Sequence, residues 1–237
     1  MNIEVLESAD SVAERAAGII AERAKAAVAA RGRFVMAVSG GHTPWLMLRR
    51  LAMDELPWHV VHVAQVDERV APAGHPDRNL THLRESLLDH SPLPPGQVHE
   101  MPVESPDLEI AAAQYAATLA QIAGSPPLLD LVHLGLGPDG HTASLVPGDP
   151  VLDIEDADVA LTRPYQGRRP MTLTYSIINR SRSVLWVVTG SEKTGALNRL
   201  LSGDHSIPAG RISSEQALVL ADQAAAEHLL TGQKKEA

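Results

Sequence analysis

The sequence predicts an α/β fold: an open, mostly parallel sheet with helices on both faces, wound in the doubly wound, Rossmann-like manner. Three observations lead there. Apolar strand-like runs alternate with segments of helical periodicity along most of the chain. Several of those runs stop abruptly at glycines or at a cluster of charges, which suits the ligand edge of such a sheet. The 237 residues are 44% hydrophobic, enough for one sizeable core, so residues 1–237 read as one α/β domain and not two small ones.

Ser8 to Arg31 is alanine-rich, with Val12, Ala16, Ile19, Ile20 and Ala24 at helical spacing, and reads as a long helix with Ser8 or Asp10 as its N-cap. Arg33 to Ser39 reads as the first strand. Gly40-Gly41 ends it, and Thr43-Pro44 opens a helix to about Met53, with proline in the first turn, where its missing N–H is not needed. A second strand covers His59 to Val66 and is followed by Asp67-Glu68-Arg69. Asp77 to Leu88 is expected to be helical, Gln97 to Val103 a short strand, and Asp107 to Ile122 a helix closed by Gly124. The apolar run Leu128 to Leu134 is a buried strand that stops at Gly135.

The second half is less regular. Val159 to Thr162 and Met171 to Tyr175 are strand candidates. Ser183 to Thr189, SVLWVVT, is a buried strand, and Gly190-Ser191-Glu192-Lys193 leads into a helix through Leu201. Ala217 to Leu220 is a short strand, Asp222 to Leu230 a last helix, and the tail Gln233 to Ala237 is expected to fray. The Pro/Gly-rich stretches 91–96, 124–127 and 147–150 read as loops, not as domain linkers.

Composition narrows the function classes. The formal net charge is −9, and no basic run exceeds a pair such as Arg168-Arg169 or Lys234-Lys235, so no nucleic-acid partner is expected. No cysteine is present, which excludes disulfides and thiolate metal sites. The N-terminus MNIEVLESAD is acidic and lacks a signal-peptide core. No apolar run approaches the roughly 20 residues that span a bilayer. A cytoplasmic protein without a membrane partner is the expectation. His59, His62, His82, His90, His99 and His133 show no metal-ligand spacing and read as surface or core residues.

Chemistry gathers at four strand ends. Leu134 to Gly148, LGLGPDGHTASLVPG, puts Asp139 and His141 two residues apart in a glycine-rich turn. Asp139 can orient His141, and His141 can take a proton from water or from a substrate carbon. Ser39-Gly40-Gly41-His42-Thr43-Pro44 precedes a helix start, where free N–H groups suit a phosphate. It is neither a Walker A loop nor GxGxxG, and a tight turn is the plainer reading. Three charges at 67–69 directly after an apolar strand do not read as a buried face; they are either a solvated run or a site in which Arg69 binds phosphate, with Asp67 and Glu68 holding it or contacting hydroxyls. Asn79 either reaches back to this edge or caps the next helix. Lys193 stands in a first helical turn, against the dipole, as either a phosphate ligand or a surface lysine. Together these features point to a small phosphorylated substrate and to proton-transfer or hydrolytic chemistry.

These residues resemble a known family. SGGHTP (39–44), VDERVAP (66–72) with Asn79, LGLGPDGHTASLVPG (134–148), MTLT (171–174) and VLWVVTGSEK (184–193) are similar to the motifs of the 6-phosphogluconolactonases, within the glucosamine-6-phosphate isomerase/6-phosphogluconolactonase superfamily. The resemblance covers nearly the whole chain and implies hydrolysis of 6-phospho-D-glucono-1,5-lactone in the oxidative pentose phosphate pathway. Carried over, it makes His141 the general base and Asp139 its orienting partner. Gly40, Gly41, His42 and Thr43 become the phosphate loop, Arg69 and Lys193 phosphate ligands, and Asp67 and Asn79 supports of the pocket. It implies no metal and no organic cofactor. A monomer or weak homodimer is expected.

The chain departs from the family pattern at His42, Pro170, Ser176 and Val146, and no substrate contact is assigned within 163–180. Two other readings exist. A glucosamine-6-phosphate isomerase/deaminase would carry DGHIAFNEP and an aromatic after the Asp-Glu pair, where this chain has DGHTASLVP and Arg69. A non-catalytic sugar-phosphate-binding regulator would usually add a DNA-binding segment, and none is evident.

Overall fold

Helix α1 (Ala9–Arg31) starts where Ser8 Oγ accepts the Ser11 amide at 3.2 Å, and it ends at Gly32, whose φ of 74° lets its N–H reach back to Val28. Its buried stripe is mostly alanine (Ala13, Ala16, Ala17, Ala24), so the helix lies close to the sheet. Helices α2 (His42–Leu51) and α3 (Asn79–Ser86) share that face, while α4 (Leu108–Ala123), α5 (Tyr175–Arg180) and α6 (Thr194–Leu201) lie on the other. The structure, a computed structural model, describes residues 1–164 and 169–229. Arg168 within the 163–180 loop, Leu230 and the tail from Gln233 therefore lie outside the described residues.

The large sheet holds β1 (Asn2–Leu6), β2 (Phe34–Val38), β3 (Val61–Gln65), β5 (Val98–His99), β6 (Leu131–Leu134), β9 (Val184–Val188) and β10 (Ala217–Asp222), in the spatial order β1-β10-β9-β6-β2-β3-β5 with all neighbours parallel. Helices on both faces favour apolar residues in its central strands, and all five residues of β2 and of β9 are apolar and buried. Alternation sorts them: Phe34, Met36 and Leu185 pack toward α1–α3, and Val35, Ala37 and Trp186 toward α4–α6. Each such large side chain contributes about 1.5–3 kcal/mol of burial.

The adjacent strands β2 and β6 are the topological switch point. The chain leaves β2 for β3 on one side and leaves β6 for β9 on the other, which opens a crevice at their carboxyl ends. A second, antiparallel sheet of β4 (Asp67–Arg69), β8 (Pro170–Leu173) and β7 (Val159–Leu161), in the order β4-β8-β7, hangs from the end of β3. Pro170 is tolerated there as the first residue of its strand.

Several expectations need correction. β1 precedes α1; it is an edge strand that, among the described residues, pairs with β10 at the far end of the chain, so no local pattern announced it. Asp67-Glu68-Arg69, expected only as a charged segment following the second strand, is itself a short strand. Only Val98–His99 of the 97–103 segment is strand, and 175–180 is a helix where a strand had been expected to reach Tyr175. β10 runs on to Asp222, turns occupy 223–226, and helical backbone begins only at 227. Among the described residues, no helix is long and apolar enough to cross a membrane.

Candidate active site

A cavity of about 670 Å³ occupies the crevice at the switch point. Nine of the ten predicted site residues line it: Gly40, Gly41, His42, Thr43, Asp67, Arg69, Asn79, His141 and Lys193. The tenth, Asp139, stands beside His141.

The turn after β6 is built around that pair. Gly137 N–H donates to the His141 carbonyl at 2.8 Å, and Gly140, at φ 84°, donates back to Gly137 at 2.9 Å. The Asp139 carboxylate accepts the His141 amide at 3.1 Å and its ring Nδ1 at 2.6 Å. An ionised carboxylate has no proton to give, so Nδ1 donates and Nε2 is the basic nitrogen of the ring. Partial burial works against ionisation of Asp139, but the amide, charge and ring hydrogen bond of His141 outweigh it and hold the carboxyl below its usual range. A side chain at 137 is impossible in this arrangement, because a Cβ there would lie 2.1 Å from His141 Nδ1. Downstream, Thr142 Oγ1 donates to the Gly135 carbonyl at 2.8 Å and Ala143 takes a φ of 51°.

The loop after β2 supplies the opposite wall. Gly41, at φ 128°, precedes α2 without any side-chain cap, so the first amides of the helix are left for a ligand. Gly40 admits no Cβ, which would lie 2.3 Å from Asn79 Oδ1. Thr43 is 6% exposed, and its hydroxyl bonds that of Thr189 at 2.7 Å, tying the loop to the end of β9.

The Asp67-Glu68-Arg69 segment divides its work. Glu68, expected at an exposed edge, is fully buried. Its carboxylate accepts the amides of Arg69, Asn79 and Leu80 at 2.8–2.9 Å and the Gln65 side chain at 2.9 Å, and it pairs with buried Arg78 at 3.0 Å. Glu68 can be buried within this charged run because its carboxylate caps the start of α3 and meets the buried Arg78. The Glu68 carboxylate therefore pairs with the guanidinium of Arg78 and not with that of Arg69. Asp67 is also buried and accepts the Ser144 hydroxyl at 2.7 Å, while Asn79 Nδ2 donates to the Asp67 carbonyl at 2.9 Å. Burial pushes the Asp67 carboxyl up, against the pull of Ser144 and of the Arg69 charge. Arg69 is exposed at the cavity rim, where its guanidinium donates to the Asp77 carbonyl at 3.1 Å.

Lys193 ends a single 3₁₀ turn, Ser191–Lys193, just before α6. Its Nζ lies 3.8 Å from Glu192. Gly190, at φ 98°, donates its amide to Asp222 at 3.1 Å, so the last strand braces the Lys193 turn. Ser144, Asp222, Glu192, Trp45 and His82 were not singled out from the sequence, and His82 had been read as surface or core. Asp222 and Ser144 did carry a signal: one is an acid closing an apolar run, the other lies inside the DGHTAS turn. Trp45 and His82, with ring centroids 5.5 Å apart, meet only because α2 and α3 pack together. Among the described residues, no group of three or more His, Asp or Glu side chains is arranged to hold a metal ion.

A doubly wound sheet with an Asp–His pair, an uncapped helix start and two cations around one crevice defines an enzyme-like site for a small anionic substrate. Residues 7–220 match the family described as glucosamine-6-phosphate isomerases/6-phosphogluconolactonase. A 6-phosphogluconolactonase of Synechocystis is 37% identical over 96% of this chain and 98% of its own length. The crystal structure of 6-phosphogluconolactonase from Thermotoga maritima superposes with a TM-score of 0.83 at 27% identity, covering 93% of this chain and 98% of that one. A monomeric glucosamine-6-phosphate deaminase shares the fold, with a TM-score of 0.84 at 19% identity over 96% of this chain and 99% of that one. The chain belongs to the glucosamine-6-phosphate isomerase/6-phosphogluconolactonase family.

Proposed function

We propose that this chain is a 6-phosphogluconolactonase, hydrolysing 6-phospho-D-glucono-1,5-lactone to 6-phospho-D-gluconate in the oxidative pentose phosphate pathway with water activated by His141. The observation that carries the reading is the 2.6 Å Asp139–His141 pair in a cavity that also holds Arg69, Lys193 and the open start of α2. The Synechocystis relative, alike over nearly both whole lengths, supports the substrate.

The substrate's phosphate sits on the amides of Gly40 to Thr43, with Arg69 and Lys193 as its cations. This anchoring brings the lactone carbonyl to His141. Neutral His141 Nε2 takes a proton from water as the water oxygen attacks the carbonyl carbon. Asp139 holds the ring and supports the imidazolium that forms. The tetrahedral oxyanion collapses, the bond to the ring oxygen breaks, and that oxygen takes the proton from His141. Water and lactone thus become the open hydroxy acid, which ionises in solution. Asp67 and Asn79 support the wall beneath the sugar. His42 lies at the loop's exposed edge, and the reading gives it a contact with the phosphate.

The deaminase shares the fold, so fold alone does not choose between the two activities. Arg69 directly after the Asp-Glu pair and Ser144 in the DGHTAS turn favour the lactonase. The same reading treats residues 1–237 as one catalytic unit, cytoplasmic, monomeric or weakly dimeric, acting on a small molecule and not on nucleic acid or membrane.

The test is hydrolysis of freshly generated lactone coupled to 6-phosphogluconate dehydrogenase, with the spontaneous rate subtracted and glucosamine-6-phosphate run in parallel. His141→Ala is expected to lower kcat by about 10²–10⁴-fold with phosphate affinity unchanged. Turnover of the amino sugar and not of the lactone would overturn the assignment, and full activity of His141→Ala would overturn the base.

A further inference from the structure

β6 carries one residue out of keeping with its place. Along this strand Val132 and Leu134 pack toward α4–α6 and Leu131 toward α1–α3; alternation gives His133 the same face as Leu131. His133 is fully buried, and burial lowers its pKa to about 3, so the ring is neutral. Its Nδ1 accepts the backbone N–H of Ser39 at 3.3 Å. Its Nε2 is buried without a hydrogen-bond partner among the described residues. A leucine would fill comparable space without stranding a donor, so packing does not account for the imidazole.

The topology accounts for it. β2 and β6 pair through Met36↔Leu131 and Ala37↔Val132 and no further. Beyond that point the two strands part at the switch point, and the Ser39 amide faces a ring nitrogen in place of a sheet carbonyl. Ser39 is buried and is the residue immediately before Gly40-Gly41 and the open start of α2. Without the ring its N–H would be buried with no acceptor, and the loop would shift to relieve it.

We propose that His133 is a positioning residue for the anion-binding loop: its unprotonated Nδ1 takes the place of the missing sheet carbonyl, holds the Ser39 amide, and so fixes Gly40, Gly41 and the first N–H groups of α2 in the cavity. This rests on the reading that the loop takes the substrate phosphate. The ring acts through the backbone and has no part in proton transfer, so its loss weakens binding and spares the chemical step.

The experiment compares wild type, His133→Leu and His133→Asn by lactone kinetics and by calorimetric titration with inorganic phosphate. His133→Leu is expected to raise both KM and the phosphate Kd about tenfold, the loss of one hydrogen bond of ordinary worth, with kcat within about twofold. His133→Asn, whose side-chain oxygen can accept an amide, recovers part of that loss. In ¹⁵N NMR of the wild type, His133 is expected as the Nε2–H tautomer, with a coupling across the Ser39 N–H···Nδ1 bond. Wild-type phosphate binding left unchanged in His133→Leu, or a ring protonated at Nδ1, overturns the inference alone. Wild type that binds no phosphate overturns the loop reading and the inference with it. If His133→Leu fails to fold, His133→Asn and the wild-type spectrum decide.

Discussion

Gly137→Ala isolates the Asp139–His141 geometry from the rest of the site. The added Cβ would lie 2.1 Å from His141 Nδ1, 2.3 Å from its Cε1 and 2.7 Å from Asp139 Oδ1. Ordinary contact begins near 3.4 Å, so moving from 2.1 Å to about 3.4 Å displaces the ring by about 1.3 Å. The ring sits at the end of a side chain that can swing, so the clash is relieved by moving His141 and not by unfolding the turn. A displacement of that size breaks the 2.6 Å bond to Asp139 and takes the base out of line. Misplacement of about 1 Å costs on the order of 10²-fold, so kcat is expected to fall by about 10²-fold or more. The 40–43 loop, proposed above to take the phosphate, lies on another strand end, and KM should change by less than about threefold. The assay is the coupled lactone reaction, with thermal denaturation alongside to show that the fold survives. A Gly137→Ala enzyme with wild-type kcat would refute the argument that this pair, held at this distance, sets the rate.

Two further outcomes are expected. Lys193→Ala should raise KM by about tenfold or more with little change in kcat, because the phosphate anchor proposed for it would bind substrate and transition state alike; steady-state kinetics decide, and a pure kcat loss would move Lys193 to the carbonyl. Acid stability should depend on His133. Its folded pKa of about 3 lies below the unfolded value near 6.5, so between these pH values the unfolded chain carries the extra proton. The contribution is complete above about pH 6.5 and is lost as pH falls toward 3, at up to about 1.4 kcal/mol per pH unit. His99, lowered to about 4 chiefly by burial, and His62, lowered likewise, act in the same sense. Urea midpoints from pH 7 to 4 should fall less steeply for His133→Leu than for wild type; equal slopes would refute this.

What could be read before folding was whatever short-range rules govern. The Ser8 cap and the Arg31 end of α1, the unbroken apolar runs of β2 and β9, the run of β6 interrupted by His133, and the glycines at 40, 41, 137 and 140 all express local sterics or hydrogen bonding. Those glycines and the Asp139–His141 spacing marked the ends of β2 and β6 as the place for chemistry, because two residues apart in a tight turn is enough for a carboxylate and an imidazole to meet.

Tertiary structure decided the rest. β1 and β4 have no signal of their own, since an edge strand and a three-residue strand exist only through partners distant in sequence, Leu218 to Asp222 for one and Pro170 to Thr172 for the other. Glu68 did not read as a buried residue, because burial of a carboxylate depends on Arg78 and on the open amides of α3 arriving together. His133 read only as a surface or core histidine, and the parting of β2 and β6 places the Ser39 amide in front of it. The sequence by itself determined most of the helices, the central strands and which residues are candidates for the site, because these follow from neighbours along the chain. Which charges are buried, which amide lacks a sheet partner, and which strand ends share one cavity follow from the order of strands in the sheet, and that order is set by packing between segments far apart in sequence.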